Sequence, residues 1–566
     1  MTDSMNTFPK KNPNQLCLNL SLLLLASIII TLPIFYFGIP NGNDLPQHYQ
    51  FATTFFESLQ NGSLYPCWSS ASNFGFGDVG IRFYPPFSYY VLIIFRFLTG
   101  NWYDASTFTF CFWFFLSGVG VYLWAREWFG EKASLAAGLL YIFAPYHANE
   151  IYNAFTYAEF AAASLLPFCF LFATRICRNG KNSDVIGFSI FYALLVLTHL
   201  PLAVIGSLGL VVYSLASLQK KYWFSTLIKL GSAGIIGLAA SAFYWVRMAS
   251  ELGFVKHATE EFTSNAYDFH FNFLAAFLYV SPTEYNERSL WFADLMLLMT
   301  AALFVPGAVI FYSKTTGKIK PKLFNVACLL IFAVFISTPS SLFVWERFGI
   351  LQKVQFPWRW LAVISMSGMM FAAAGFDYLL DVFRTKMRPL ALIAVGLAFA
   401  GVVFTATQVI KQAVYASRPD FTEKINKLAD TESYECWWAI WSKKEAFSNK
   451  EKVSVNDRKV EINDWQPLEK TFSISAGEAQ NARIAVFYYP HWQASINDSQ
   501  IQIEKDDDGT ILIPLPKEKT TVKLFFVEPN YTKTANVLSI LVWSFFLVFG
   551  VMTLTKKSQT GKTSTL

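Results

Sequence analysis

The chain has 566 residues, is 54% hydrophobic and 18% aromatic, and only 15% of it is charged, where a soluble domain carries about a quarter. Several uninterrupted apolar runs are long enough to cross ~30 Å of hydrocarbon, which excludes a soluble globular protein and defines a multispan membrane protein. The formal net charge of +6 sits in short loops between spans, where membrane orientation explains it and nucleic-acid binding is not implied.

Lys10 and Lys11 place the N-terminus inside. The apolar run that follows closes without a small-x-small cleavage site and reads as a signal anchor. Span 1 (about 17–38) delivers Asp44 to the outer side. The stretch from Pro86 to Leu98 is short, opens on Pro85–Pro86 and contains Arg96. If it crossed, the basic loop 175–184 would fall outside, so it reads as a helix at the outer interface. Spans are expected at about 105–125, 133–146 and 158–174, with an outer loop at 147–159. The run 185–219 is broken at Thr198-His199-Leu200-Pro201, because proline disfavours a continued helix, and reads as two short spans meeting at the outer face. Further spans are expected at about 225–245, 291–313, 322–341, 359–381 and 388–411. The loops carrying Lys314, Lys318, Lys320 and Lys322, and Arg384, Lys386 and Arg388, are inside.

Residues 412–533 change character. They are charged, alternate with period 2 around Lys459, Arg483 and Ile501, and turn at Asp508-Gly509, as β-strands do. A last span (about 535–554) ends in Lys556-Lys557 inside. The expected architecture is an α-helical polytopic membrane protein of about twelve spans. Residues 1–411 form a membrane module whose first outer loop covers 39–104. A small, mostly β extracytoplasmic domain occupies 412–533, and a final span with a cytoplasmic tail occupies 534–566.

The chemistry-bearing residues gather on the outer side. Asp44 lies just beyond span 1 and could serve as a general base; Asp44-Leu-Pro is equally a helix-start pattern, with aspartate as N-cap. His48, one turn on, could orient Asp44 or share a ligand with it, or be a plain interface histidine. Two such ligands specify little, so the metal is unknown; no cofactor is implied and a divalent metal stays open. Glu159 sits at the lip of an apolar span, where an unpaired acid is costly; Glu150, across the same outer loop, could be merely solvated. His199 marks the outer break between two short spans, a place where histidine is more often structural. Arg359, between two tryptophans at an outer span entrance, suits bidentate phosphate binding or interfacial snorkelling. Arg82 and Arg247 are weaker phosphate candidates. Tyr84, Trp68, Phe74 and Phe76 could stack on a sugar ring or a lipid. The seven cysteines form no CxxC or zinc spacing. There is no GxxxxGK[ST], GxSxG or HExxH, so an enzyme here needs an activated substrate delivered by the membrane.

Four segments resemble the GT-C superfamily of polytopic glycosyltransferases, and among these the bacterial YfhO-like proteins and the membrane proteins labelled 6-pyruvoyl-tetrahydropterin-synthase-related. They are Asp44-Leu-Pro-Gln-His48 with Asn73-Phe-Gly-Phe-Gly77 and Phe83-Tyr-Pro-Pro-Phe87; Phe143-Ala-Pro-Tyr146 with Ala158-Glu159; Gln355-Phe-Pro-Trp-Arg359; and Tyr488-Tyr-Pro-His-Trp492. The resemblance implies a polyprenyl-phosphate sugar as donor, Asp44 as the base toward the acceptor, Arg359 on the lipid phosphate and Glu159 shaping the acceptor site. The acceptor would be a lipid, a glycan or a protein on the outer face of the cell membrane. The pterin label suggests zinc chemistry, but no histidine cluster supports it. Many family members pair two acids with a metal; this loop has a lone Asp44 backed by His48, and His491 stands where glycine is usual. Two other functions fit a membrane protein of this kind. A flippase for a lipid-linked sugar would show charges deep in its spans and an inverted repeat, and neither is evident. A noncatalytic envelope-glycan assembly protein would leave Asp44 dispensable.

Overall fold

A computed structural model describes residues 13–178, 180–262, 264, 268–287, 290–314, 323–382, 388–428 and 431–562. The basic loops expected at 315–322 and 383–387 lie outside the described residues.

The first apolar run forms α1 (Pro13–Phe37) and stops at Gly38. Gly38 adopts φ +119°, and a Cβ there would meet the Ala416 carbonyl oxygen at 2.0 Å, so only glycine fits this close approach. The chain then enters β1 (Ile39–Pro40), which pairs antiparallel with β2 (Tyr415–Ala416). The helix α2 (Leu45–Gln60) follows, burying Leu45, His48, Tyr49, Ala52 and Phe55 at helical spacing. The interface helix expected after Pro86 is α3 (Phe87–Thr99). At its start Phe87 N–H donates to the Leu197 carbonyl, and at its end Gly100 turns directly into α4 (Trp102–Ala125). Tyr103, in the first turn of α4, donates to the Ile34 carbonyl near the end of α1. Both ends of α3 are thus on one membrane face, and it does not cross.

Next come α5 (Glu131–Ile142), α6 (Pro145–Tyr152), α7 (Tyr157–Arg178), α8 (Asn182–Val196), α9 (Leu200–Ser217), α10 (Trp223–Ala240) and α11 (Ala242–Glu251). Pro145 ends α5 by its missing N–H, and His199 caps α9 by accepting from the Leu202 amide, with Pro201 in the first turn. The remaining helices are α12 (Pro282–Glu287), α13 (Trp291–Lys314), α14 (Phe324–Ile336), α15 (Leu342–Arg347), α16 (Gly349–Gln352), α17 (Leu361–Val382), α18 (Arg388–Gln412), α19 (Arg418–Asn426) and α20 (Asn530–Lys562).

Among the described residues, eight helices are long and apolar enough to cross a membrane, or nine if α14 and the Pro339–Arg347 piece, bent by 88°, form one span. The expected count was about twelve. It included the regions of α5 and α8, whose 12 and 15 residues span only roughly 18 and 22 Å at 1.5 Å per residue. Protein buries 89% of the apolar window of α7 but 17% of that of α20, so α7 is the hub of the bundle and α20 faces lipid.

Two antiparallel sheets follow α19. One has the order β3 (Val453–Ser454), β6 (Gln480–Phe487), β10 (Thr510–Leu515), β9 (Glu504–Lys505); the other runs β4 (Val460–Trp465), β5 (Glu469–Ile474), β11 (Thr520–Phe526), β7 (Trp492–Ile496), β8 (Ser499–Ile501). Alternation in β11, with Val522 and Leu524 buried and Lys523 exposed, puts one face of each strand on a shared core. The expected turn at Asp508-Gly509 leads into β10, with Gly509 at φ +85°. The stretch 412–428, expected with the β domain, packs on the membrane module instead: β2 holds β1, and Phe421 of α19 is wedged against Tyr49 and Tyr103.

Candidate active site

The loop Gly38–Asp44 is held from both sides. Asn41 N–H donates to the Val414 carbonyl (2.7 Å), Lys424 Nζ to Asn41 Oδ1 (2.6 Å) and Tyr434 Oη to the Asn43 carbonyl (2.8 Å). On the other side Gly42 presses on 153–155, where an added Cβ would lie 2.5 Å from the Asn153 carbonyl oxygen. The backbone of Phe155, in that same segment, is left-handed at φ +59°. Such a conformation costs roughly 1–3 kcal/mol and persists only where the surroundings over-determine it.

Asp44 occupies the N-cap position of α2, but its side chain makes no capping bond. The carboxylate is therefore not consumed by the helix start. It keeps an exposed surface yet is hemmed in by enough protein that burial raises it from 3.8 to about 6; Arg359 pulls that value down and Glu159 pushes it up. Asp44, Glu159 and Arg359, far apart in sequence, are thus coupled electrostatically at one end of the bundle.

Glu159 is 1% exposed and fully engaged. Its Oε2 accepts from Arg359 Nε (2.8 Å), its Oε1 from the Tyr146 hydroxyl (2.9 Å), and His199 Nε2 stands 4.0 Å from Oε2. Arg359 also donates from Nη1 to the Val354 carbonyl (2.6 Å) and lies over the rings of Phe356 (4.7 Å) and Trp358 (5.8 Å). Among the described residues, these bonds leave its Nη2 group without a partner. The turn that presents it carries Gln355 at φ +66°, a second left-handed residue beside the site. Tyr84 is half-buried between these charges and Trp437, with centroids 5.7 Å apart, and its hydroxyl feels Asp44, Arg359 and Glu159.

Several expectations need correcting. His48 does not orient Asp44: it is 3% exposed, ringed by Tyr84, Tyr89, Phe155 and Tyr157, and its Nδ1 bonds the Tyr89 hydroxyl at 2.8 Å. Burial lowers it to about 3, so it is neutral and cannot share a proton near pH 7. Burial, with Arg359 nearby, likewise drives His199 well below its ordinary range. Glu150 is not solvated but wholly buried, donated to by Thr156 and Asn149, and pushed up by burial and by Glu159.

Arg82, Arg247 and Trp68 lie elsewhere. Arg82 is wholly buried, with Nε and Nη2 on Glu251 (2.9 and 2.7 Å) and Nη1 on Glu528 (2.6 Å). Arg247 Nη2 is 3.5 Å from the same Glu528. Tyr489 and His491 close on Glu251 (2.5 and 3.2 Å), so the Tyr488–Trp492 motif docks the β domain onto the membrane module. Trp68 packs there against Trp492, Tyr489 and Phe526, and Phe74 and Phe76 pack on Phe447. A guanidinium between two carboxylates holds no spare charge for a phosphate.

Sequence reasoning passed over Tyr146, Trp437 and His257. Tyr146 stood inside a motif already singled out. Trp437 and His257, with centroids 4.7 Å apart, come from remote segments with no local signal. Among the described residues no three His, Cys, Asp or Glu side chains converge as metal ligands. Glu159 is held by Arg359 and His48 by Tyr89, so this donor set does not fit a resident divalent metal.

Apolar spans around a polar site and a docked β domain define a polytopic integral membrane protein. The chain belongs to the 6-pyruvoyl-tetrahydropterin synthase related membrane proteins, whose family description matches residues 81–411. The structure is similar to the arabinofuranosyltransferase AftD from Mycobacteria, with 15% identity and TM-score 0.46 over 73% of this chain and 28% of that one. It is similar to the oligosaccharyltransferase of Archaeoglobus fulgidus in the apo form (14%, TM-score 0.41, 71% and 56% covered). It is also similar to ArnT from Cupriavidus metallidurans bound to undecaprenyl phosphate (12%, TM-score 0.38, 74% and 78% covered). The chain therefore spans about a quarter of AftD and about half of the oligosaccharyltransferase. No curated protein matches it.

Proposed function

We propose that the protein is a membrane glycosyltransferase that moves a sugar from a polyprenyl-phosphate donor to an acceptor hydroxyl on the extracytoplasmic face of the cell membrane. One observation carries the reading. A water-accessible carboxylate poised at about 6 (Asp44) shares an electrostatic site with a guanidinium (Arg359) whose direction a buried carboxylate (Glu159) sets. In the transfer, the acceptor oxygen attacks the anomeric carbon. The C1–O bond to phosphate breaks, the lipid phosphate departs, and the acceptor proton goes to Asp44. Arg359 offers Nη2 to the phosphate as its charge grows, and the Glu159–Arg359 bond keeps that group in place before substrate arrives. Tyr84 and Trp437 supply an apolar wall that limits water at the reacting carbon.

The test is transfer from a radiolabelled polyprenyl-phosphate sugar in membranes holding wild type or Asp44→Asn, with envelope glycan composition read in parallel. Loss of transfer at normal protein levels supports the reading. Equal transfer by both proteins removes Asp44 as base, and no transfer above background by either favours a noncatalytic assembly role.

A further inference from the structure

Both α7 and α9 start at the candidate active site, with Glu159 and His199, and run to the opposite membrane face. From Glu159 to Arg178 is roughly 29 Å of helix, one hydrocarbon thickness. There the ends of α7 and α9, the start of α14 and the turn after α4 enclose a cavity of about 520 Å³. Its walls include Trp128, Arg178, Ser217, Gln219, Phe324 and Asn325, and nothing in the proposed transfer uses it.

The cavity has a charged end and a greasy end. Arg178 stacks 3.9 Å over the Trp128 ring and donates Nη1 to the Glu127 carbonyl (2.5 Å), and among the described residues its Nε and Nη2 have no hydrogen-bond partner. Glu127 is shared with Arg175 (2.8 Å) and lies 3.6 Å from Arg178, while Asp184 also faces Arg175 and Lys181. Lys220 and Lys221 follow Gln219 directly and are exposed. The first turn of α14 adds the positive end of a peptide dipole. Beside this polar end runs an apolar surface that the other described residues do not cover. Val211 and Leu215, one turn apart on α9, are 56% and 55% exposed, and Phe324 and Ile331, two turns apart on α14, are 57% and 70% exposed. A soluble phosphate compound has no use for that second surface. A phospholipid uses both.

We infer that this cavity binds the phosphate headgroup of an anionic phospholipid in the leaflet opposite the β domain, with an acyl chain lying along Val211, Leu215, Phe324 and Ile331. Basic pockets between helices on the cytoplasmic side are suited to such lipids, and the charge pattern of the loops puts this face inside.

The experiment uses the full-length protein purified in detergent. Phosphatidylglycerol, phosphatidylcholine or glycerol 3-phosphate is added, and retained ligand is read by native mass spectrometry alongside thermal unfolding. Wild type should retain one phosphatidylglycerol, little phosphatidylcholine and no glycerol 3-phosphate. Arg178→Gln should retain about tenfold less phosphatidylglycerol. That variant also loses the bond to the Glu127 carbonyl, so Gln219→Glu is the second arm: it adds a repelling carboxylate at an exposed position and leaves that bond intact. Equal retention of phosphatidylglycerol by folded Gln219→Glu, or of phosphatidylcholine by wild type, overturns the site. Stabilisation by glycerol 3-phosphate equal to that by phosphatidylglycerol overturns the lipid as its occupant.

Discussion

Changing one neighbour of Asp44 at a time should move the acid limb of the pH–rate profile in a known direction. The carboxyl titrates at about 6 rather than 3.8, chiefly through burial, with Arg359 lowering it and Glu159 raising it. A base must be ionised to accept a proton. At a value of about 6, Asp44 is about 91% competent at pH 7 and about 9% at pH 5, so kcat/KM should fall about tenfold between them. Glu159→Gln removes a negative neighbour and frees Arg359 of its partner. Both changes favour the Asp44 carboxylate, so the limb should move to lower pH. Arg359→Gln removes the positive neighbour, and the limb should move to higher pH on top of a loss of donor binding. The sign also reaches stability. The folded state holds this proton more tightly than the unfolded chain, so the contribution is present below about 3.8 and is lost as pH rises through about 6. The assay is initial transfer rate against pH in membranes from the three proteins. Limbs that stay together, or move in the reverse order, would refute the shared electrostatic site.

Three further outcomes follow from the geometry. Arg82→Gln leaves Glu251 and Glu528 without their main cation, and breaking a buried pair costs about 3–5 kcal/mol; thermal unfolding should drop and the β domain should become protease-sensitive while the bundle resists. Gly38→Ala puts a Cβ 2.0 Å from the Ala416 carbonyl oxygen at a φ of +119°, so the β1–β2 pair should open, and transfer should fall much further than protein level in membranes. Cysteines placed at Gly100 and Lys132 should label from opposite sides of the membrane, Gly100 from the β-domain side, because α3 stays on that side and α4 crosses; labelling of both from one side would reverse the topology.

Features with a period or a local chemical cost could be read from the residues in order. Apolar runs marked the long helices, the charge balance of the loops kept α3 on one face, and alternation marked the β strands. An acid at the lip of a span drew attention to Glu159, and a flanked arginine to Arg359. Pairing over long separations left no local mark. Arg82 meets carboxylates 169 and 446 residues away, and nothing around Arg82 distinguishes a guanidinium meant for phosphate from one meant for Glu251. The same limit put Trp68 and the Gly/aromatic stretch at a substrate wall, when their partners are in the β domain. Proline marked the break between α8 and α9 at Thr198–Pro201, but hydropathy does not show whether helices as short as α5 and α8 cross.

The clamp on the Asp44 loop also sets an order of assembly. Lys424 holds Asn41 from 383 residues further on, and Tyr434 holds Asn43 from 391. Synthesis runs from the N-terminus, so the first outer loop reaches its side of the membrane long before its restraints exist. Through most of translation the carboxylate would be untethered and unable to work on passing lipid. A chain cut off between residues 360 and 413 would carry Asp44, Glu159 and Arg359 and still lack the frame that fixes the first of them. The proposed activity therefore waits on a nearly complete chain.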